Sequence, residues 1–512
     1  MAGGWELNSN EDSQGKTVKI ITTMVAAMLL VVSSAADAAN ATGYSFTILT
    51  HPYASAAGGE TYVFGINNNG DVVGDYRQAA NGSSHAFLYS NGTYSDVILA
   101  GATAIWAYGV NDSGDVVGYY TDMSGTHGFV AERSFNVTTL DVPGSTCGTE
   151  AYGINNAGQV VGYYCDLSGP QGSSRQRGFL LDHGTFTSID MPGFLCTQPQ
   201  GISNTGEIVG SYCDGVSDSG FRYKDGTYTK VVNPNSHAFT SLWGINIRGA
   251  MTGIFIPTPT STYEGFVTYN GRGFFAINPP GADLSAQSIA NGINDVGQIV
   301  GYFRDSTITN ATVVRGYIAK DATAPTAKPT LSPKANTAGW NKTNVTINWK
   351  WTDNTSGTGI DPTNCTTTTP VSSEGVQTLT ATCKDLAGNS RSASLKVKVD
   401  KTPPTCTANA TPNILMPANH KMISVSTTVK INDALSGPKT FQLVSVTSSQ
   451  AGSGLGVGDL PKDTQGWTIG TADKAGMLRA ERYGGSRAYT ISYWGFDMAD
   501  NFATCARTVT VP

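Results

Sequence analysis

The chain has 512 residues, with 32 Lys+Arg against 38 Asp+Glu and a formal net charge of −6. This length suggests more than one domain, and 39% hydrophobic residues argue against a disordered chain. The acidic balance and the lack of any Lys/Arg run argue against a nucleic-acid protein.

Residues 1–39 read as a secretory leader with a long start. Lys16 and Lys19 supply the positive region. Ile20 to Val32 is an apolar run of 13 residues, too short for a helix to cross a bilayer core of about 30 Å. Ala36-Asp37-Ala38 offers small residues for cleavage, with an uncleaved anchor as the alternative. No later segment is apolar enough to span a membrane, so the expected setting is secreted, extracellular or periplasmic. The eight cysteines all follow the leader, and an even count in an exported chain implies disulfides. None forms a CxxC pair, which argues against a zinc ribbon.

Glycine reaches 60 residues, about 12% of the chain, against an ordinary level of about 7%. Thr, Ser, Asn, Val and Tyr abound, so an all-β protein rich in turns is expected. The strongest signal is a repeat, Gly-Ile-Asn-Asn-x-Gly-x-Val-Val-Gly-x-Tyr. Its six copies start at Gly65, Gly109, Gly153, Gly201, Gly244 and Gly292, spaced by 44, 44, 48, 43 and 48 residues. That period suits a four-stranded propeller blade. Strand one ends in Gly-Ile-Asn, an Asn/Gly turn follows, and strand two is Val-Val-Gly-x-Tyr. Strand three is HAFLY (85–89) and its counterparts down to RGYIAK (315–320). Strand four is a Thr/Val-rich stretch such as NVTTLDVP (136–143).

The sixth copy has no fourth strand of its own. An orphan strand of that kind, SFTILTHP (45–52), precedes the first copy. Pairing the two closes a ring of six and removes exposed sheet edges; an open solenoid is the rival. The cysteines test the register. Residues paired across the first hairpin have offsets from the repeat Gly that sum to about seven. Cys147 with Cys165 gives six and Cys196 with Cys213 gives seven, so both pairs are expected to be disulfides.

These copies resemble the bacterial extracellular HAF repeats, named for the His-Ala-Phe seen here as His85-Ala86-Phe87. The resemblance covers roughly residues 44–320 and implies no single activity. Only the first copy keeps all three letters.

Two Pro-containing phrases, DATAPT from Asp321 and DKTPPT from Asp400, mark junctions. They delimit β segments at 325–400 and 402–512, which resemble bacterial Ig-like sandwich domains. Within them Cys365–Cys383 and Cys406–Cys505 are the expected disulfides. Such domains more often space or anchor than catalyse, and His420 and Trp494 read as packing residues. The expected architecture is an all-β six-bladed β-propeller followed by two Ig-like β-sandwich domains.

Familiar catalytic signatures are absent from the sequence: no Gly-x-Ser-x-Gly elbow, no His-Glu-x-x-His, no Walker loop. Any active site has to be assembled from single residues on several blades. The longer loops, joining strand four to the next strand one and strand two to strand three, form the rim where sites usually sit. Glu60, Asp141, Glu150, Asp190 and Asp283 on this rim are candidate ligands for Ca²⁺, which takes six to eight oxygens. Asp122, Asp166, Asp214 and Asp305 recur at one position; a turn or strand-end cap is the plain reading of such a residue. Secreted six-bladed propellers of the paraoxonase and gluconolactonase families hold axial Ca²⁺ and hydrolyse lactones or esters. By that fold-level analogy, His237 and His51 become candidate bases.

Two main readings follow. One is a Ca²⁺-dependent hydrolase of small lactones or esters at the propeller mouth. The other is a non-catalytic extracellular binding or adhesion protein, for a small-molecule or glycan ligand, with an Ig-like stalk. A structural surface-layer role is a third. The repeated Asn67, Asn111, Asn155, Asn246 and Asn294 read as turn chemistry. The tyrosine pairs Tyr119-Tyr120 and Tyr163-Tyr164 read as packing between blades, with sugar stacking as the alternative.

Overall fold

A computed structural model describes residues 43–512, apart from 55–57, 79–81, 135, 170–171, 214–216, 260, 270–272, 284, 309–312 and 452–459. The expected leader, at 1–39, and Asp214 lie outside the described residues. The chain divides into two compact units. One is Met1–Thr323 with Asn354–Thr358, and the other is Ala324–Asp353 with Gly359–Pro512.

The first unit is all-β. Each repeat copy supplies the inner hairpin of an antiparallel sheet. In the first copy, Glu60–Ile66, Val72–Arg77, His85–Ser90 and Thr93–Val97 pair in that order. The same order recurs from Ala104–Val110 to Val137–Leu140 in the second copy and onward through the fifth. In the sixth copy the fourth place is taken by Tyr44–Leu49, which pairs antiparallel with Val314–Asp321, Tyr44 opposite Asp321 and Leu49 opposite Gly316. The sheets stand around an axis as a β-propeller, with the inner strands nearest it.

The repeat glycines explain how closely the inner strands approach. A Cβ on Gly65 would meet the Tyr108 carbonyl at 2.5 Å, one on Gly109 the Tyr152 carbonyl at 2.8 Å, and one on Gly292 the Phe64 carbonyl at 2.9 Å. Only glycine leaves room for the neighbouring backbone there. The last contact joins the sixth copy to the first. Between sheets, apolar residues such as Val73, Ala107, Val116 and Phe129 form shared cores.

Cys147–Cys165 and Cys196–Cys213 are disulfides. Cys196 stands directly opposite Cys213 across the first hairpin of the fourth copy, as the offset sum requires.

The second unit is also built from antiparallel sheets. Its earlier part holds the ten-residue strands Gly375–Lys384 and Ser390–Val399, paired along their whole length, with Trp349 and Ile347 in the core. Its later part has two sheets, one containing Met422–Asn432 and the other Arg487–Asp497. Val425, Leu443, Leu478 and Tyr489 from both sheets share one core. Cys365–Cys383 and Cys406–Cys505 are bonded here.

Candidate functional site

Side chains alternate along a strand, so every second residue of each inner strand faces the propeller axis. Four rings of residues result, and they are best read from the turn end inward.

The outermost ring lies three residues after each repeat Gly: Asn68, Asp112, Asn156, Asn204, Ile247 and Asp295. Its members bond in a circle. The Asn68 amide donates to Asp112 Oδ1 (2.7 Å), the Asp112 amide to Asn156 Oδ1 (2.9 Å), and the Asn156 amide to Asn204 Oδ1 (2.8 Å). The Ile247 amide donates to Asp295 Oδ1 (3.0 Å), and the Asp295 amide to Asn68 Oδ1 (2.8 Å). One link is missing, because Ile247 has no side-chain oxygen to offer the Asn204 amide. Asp112 Oδ2 accepts from the carboxamides of Asn68 and Asn156, and Asp295 Oδ2 from those of Asn68 and Asn204. Both carboxylates are thus satisfied inside the ring.

Next comes a collar of Ile66, Val110, Ile154, Ile202, Ile245 and Ile293, all buried. Together the two rings line a cavity of about 50 Å³, room for a water or two and nothing larger.

The third ring is different in character. One residue before each repeat Gly stand Phe64, Tyr108, Tyr152, Gln200, Trp243 and Asn291. Phe64 packs on Tyr108 with ring centroids 4.4 Å apart, and Tyr108 on Tyr152 at 4.5 Å. These three aromatic rings stay partly exposed although their strand neighbours are buried. The opposite half is polar. Gln200 Oε1, Trp243 Nε1 and Asn291 Oδ1 are buried atoms with no hydrogen-bond partner among the described residues.

The fourth ring lies further from the turns. Tyr62, Trp106, Glu150 and Gln198 stand two residues further out, each opposite a second-strand residue: Asp75, Tyr119, Tyr163 and Ser211. Tyr152 and Tyr163 both donate to Glu150 Oε2 at 2.7 Å. Tyr62 donates to Glu60 Oε2 (3.0 Å), and the Arg77 guanidinium lies 5.2 Å over the Tyr62 ring. Burial pushes Tyr119 up to about 12 and raises Tyr108, Tyr152 and Tyr163 as well. These phenols are neutral hydroxyls at any physiological pH. Asp75 is 1% exposed and takes a hydrogen bond from Ser84 Oγ. Burial raises its carboxyl to about 7.

The residues expected to form a metal and catalytic site do not gather. Glu60 accepts from the Tyr62 hydroxyl and Glu150 from those of Tyr152 and Tyr163, each within its own copy. Asp141 bonds His127 Nδ1 at 2.9 Å, and Asp190 is paired with Arg177. Asp283 accepts from Ser285 within its own loop. None of the five belongs to any group of three ligand side chains within 4.8 Å among the described residues. The cause is local: each carboxylate is neutralised or capped where it stands. His51 is 2% exposed and stacks on Tyr76 at 3.7 Å between centroids. Its imidazole is lowered chiefly by burial, partly offset by Asp96. His237 is exposed, on the loop before Thr240–Ile245, with its backbone amide bonded to the Ile256 carbonyl. Asp122, Asp166 and Asp305 accept backbone amides two residues on and are turn caps.

Carboxylates do converge in the second unit. Oxygens of Asp400, Asp433 and Asp497 lie within 4.8 Å of one another, with Asp400 and Asp497 fully buried. Backbone amides bond all three: Thr402 and Ser436 to Asp400, Gly437 to Asp433, Ala499 and Asn501 to Asp497. No cationic side chain pairs with any of them among the described residues. Asp497 is raised by burial and secondarily by the Asp400 charge. The sequence offers a signal for this cluster in the matching Asp-x-x-x-Asn turns at Asp385 and Asp497.

The family described as "Protein of unknown function (DUF3466)" matches residues 96–256. No curated protein matches the chain. Among solved structures, a virginiamycin B lyase from Staphylococcus aureus is 12% identical, with 54% of this chain and 88% of that one covered and a TM-score of 0.31. A putative gluconolactonase is 11% identical, with 55% and 93% covered and a TM-score of 0.32. The Aleuria aurantia lectin is 10% identical, with 51% and 94% covered and a TM-score of 0.33. At these identities and scores the likenesses assign no activity, and the fold rests on the strand pairing.

Proposed function

We propose that this chain is an exported ligand-binding protein: a six-bladed β-propeller that takes a small organic molecule in its axial channel, followed by two Ig-like domains that carry or space it. The observation that carries this reading is the third ring. Three partly exposed aromatic side chains, Phe64, Tyr108 and Tyr152, pack in series at one position of successive copies. Concave sites with apolar walls and a few convergent polar groups are where small ligands bind. The four disulfides support an oxidising compartment. Among the described residues no helix is long and apolar enough to cross a membrane.

The test is a ligand screen read by thermal shift on the intact chain, repeated with Tyr108→Ala. A ligand whose shift disappears in the variant supports the channel. Ligands whose shift is unchanged in the variant place binding elsewhere.

Hydrolysis of lactones or esters is the second reading, resting on the acidic rim. Its five carboxylates are engaged separately, which favours binding over Ca²⁺-dependent catalysis at the mouth. For a cation, the donor set that fits is Asp400, Asp433 and Asp497. Three hard, negatively charged oxygens suit Ca²⁺, with backbone carbonyls and water to complete its shell. Turnover of a lactone panel that chelation abolishes would restore the enzymatic reading.

A further inference from the structure

Ser124, His127 and Asp141 stand in hydrogen-bond series on the rim of the second copy. Ser124 lies in the turn between Val116–Thr121 and Thr126–Ala131, His127 is the second residue of the latter strand, and Asp141 follows Val137–Leu140. Ser124 Oγ is 2.9 Å from His127 Nε2. His127 Nδ1 is 2.9 Å from Asp141 Oδ1 and 3.1 Å from Oδ2. Hydroxyl, base and orienting carboxylate are each within the reach that general-base activation of a nucleophile needs. Such a constellation is recognised by geometry and roles, whatever the order of its members along the chain. Ser124 is exposed to solvent, and the Tyr120 ring packs on the imidazole at 5.3 Å between centroids.

Neighbouring copies show what is particular to this one. Asp122 accepts from the amide and hydroxyl of Ser124, and Asp166 in the third copy accepts from those of Ser168 in the same way. There the residue in the place of His127 is Arg177, paired with Asp166 and Asp190. In the sixth copy it is Arg315, paired with Asp305. A guanidinium stays protonated and accepts no proton. Of these three copies, the second alone sets a proton acceptor against the turn hydroxyl.

Ser124 has one hydroxyl proton, and Asp122 Oδ1 at 2.6 Å competes with His127 Nε2 for it. When the imidazole is charged, Nε2 donates to Oγ and the hydroxyl proton goes to Asp122. When it is neutral, Asp141 holds the ring proton on Nδ1, because a carboxylate can only accept. Nε2 is then an acceptor, and the hydroxyl can turn to it.

We propose that Ser124 and His127, with Asp141 as positioning residue, form an acyl-transfer site for small neutral esters. Oγ bonds to the ester carbonyl carbon while its proton passes to Nε2. The bond from that carbon to the leaving oxygen then breaks, and the leaving oxygen takes the proton. Water adds to the acyl-serine by the same relay, which releases the carboxylic acid and restores the hydroxyl. The carboxylates of Asp122 and Asp141 disfavour an anionic substrate. Met123, 102% exposed, and the Tyr120 ring offer apolar contact to an acyl or aryl group. None of these residues belongs to the aromatic run of the third ring, so the inference stands apart from the binding reading above.

The full chain is incubated with a fluorophosphonate, and the modified residue is located by mass spectrometry; this readout needs no variant to fold. Release of p-nitrophenol from p-nitrophenyl acetate gives the rate. The label is expected on Ser124, and the rate should fall about a hundredfold in Ser124→Ala and in His127→Gln. The parent rate should rise with pH as the imidazole loses its proton. Asp141→Asn should lower the rate and displace that profile, which a merely structural role would leave in place. Ser168→Ala, in the matching turn beside Arg177, should change neither label nor rate. Absence of label on Ser124, labelling of Ser124 at the parent rate in His127→Gln, or unchanged release in Ser124→Ala overturns the inference, and each of these results leaves the binding reading as it was.

Discussion

The side chain of Asn294 donates to the backbone carbonyl of Asn67 at 3.0 Å, across 227 residues of sequence. The same bond runs between neighbouring copies: Asn67 to the Asn111 carbonyl (2.8 Å), Asn155 to Ser203 (3.2 Å) and Asn246 to Asn294 (3.0 Å). Each Asn also turns its own chain, as Asn67 Oδ1 does by accepting the amides of Asn69 and Asp71. One residue type thus serves both the hairpin and the contact between sheets, and the last copy meets the first through it as any copy meets the next.

Replacing Asn294 by Ala should therefore destabilise the propeller as a whole. The variant loses the bond to Asn67, the donation to Gln298 Oε1 (2.7 Å) and the acceptance from the Gln298 amide (2.8 Å). At about 1 kcal/mol per buried bond, the loss is about 2–4 kcal/mol. Urea unfolding followed by tyrosine fluorescence measures it. A change below about 0.5 kcal/mol would mean that this contact does not help to hold the ring.

Ile247 breaks the circle of amide-to-side-chain bonds, and it is 46% exposed. Ile247→Asn supplies an oxygen for the Asn204 amide and restores the residue type that the turn favours. Little apolar burial is lost at this exposure. Stability should rise by about 0.5–1.5 kcal/mol, seen as a higher urea midpoint at unchanged slope. A lower midpoint would show that Ile247 earns its place by packing.

Much of this architecture is legible in the sequence, and the part that is not has a physical reason. The Cys196–Cys213 pair was readable because hairpin offsets fix which residues face each other. The place of Tyr44–Leu49 was readable because one copy lacks a strand and a spare one precedes the first. The run of partly exposed aromatics was not. What recurs from copy to copy is scaffold, such as the Gly at 65, 109 and 292 that lets backbones approach. The residue just before it reads Phe64, Tyr108, Tyr152, Gln200, Trp243 and Asn291, and that variation hides it from a consensus. The recurring Asp122, Asp166 and Asp305 drew attention for the opposite reason, and recurrence there reflected turn capping. Recurrence from copy to copy reports the frame, and the proposed site lies where the copies differ.

In the second unit, Ca²⁺ should raise the melting temperature, and chelator should reverse the rise. At a concentration of 100 times Kd the gain is about 2.7 kcal/mol. Asp433→Asn keeps the oxygen that Gly437 uses and removes a charge, so the variant should lose the Ca²⁺ response without losing stability in chelator. Equal responses in parent and variant would remove Asp433 from any cation site.

Asp75 gives a pH dependence with a definite sign. Burial raises its folded carboxyl from the usual range to about 7, because a 1% exposed carboxylate is poorly solvated when charged. A group raised on folding contributes stability that is fully present below its unfolded pKa and is lost as pH climbs through the folded value. For Asp75 that window runs from about pH 4 to about pH 7, and a displacement of about three units corresponds to about 4 kcal/mol. Asp75→Asn keeps an acceptor for Ser84 and cannot ionise. The parent should therefore lose stability relative to the variant between about pH 4 and pH 7. A difference that stays constant across this interval would mean that Asp75 ionises at the ordinary carboxylate value and that its surroundings solvate its charge.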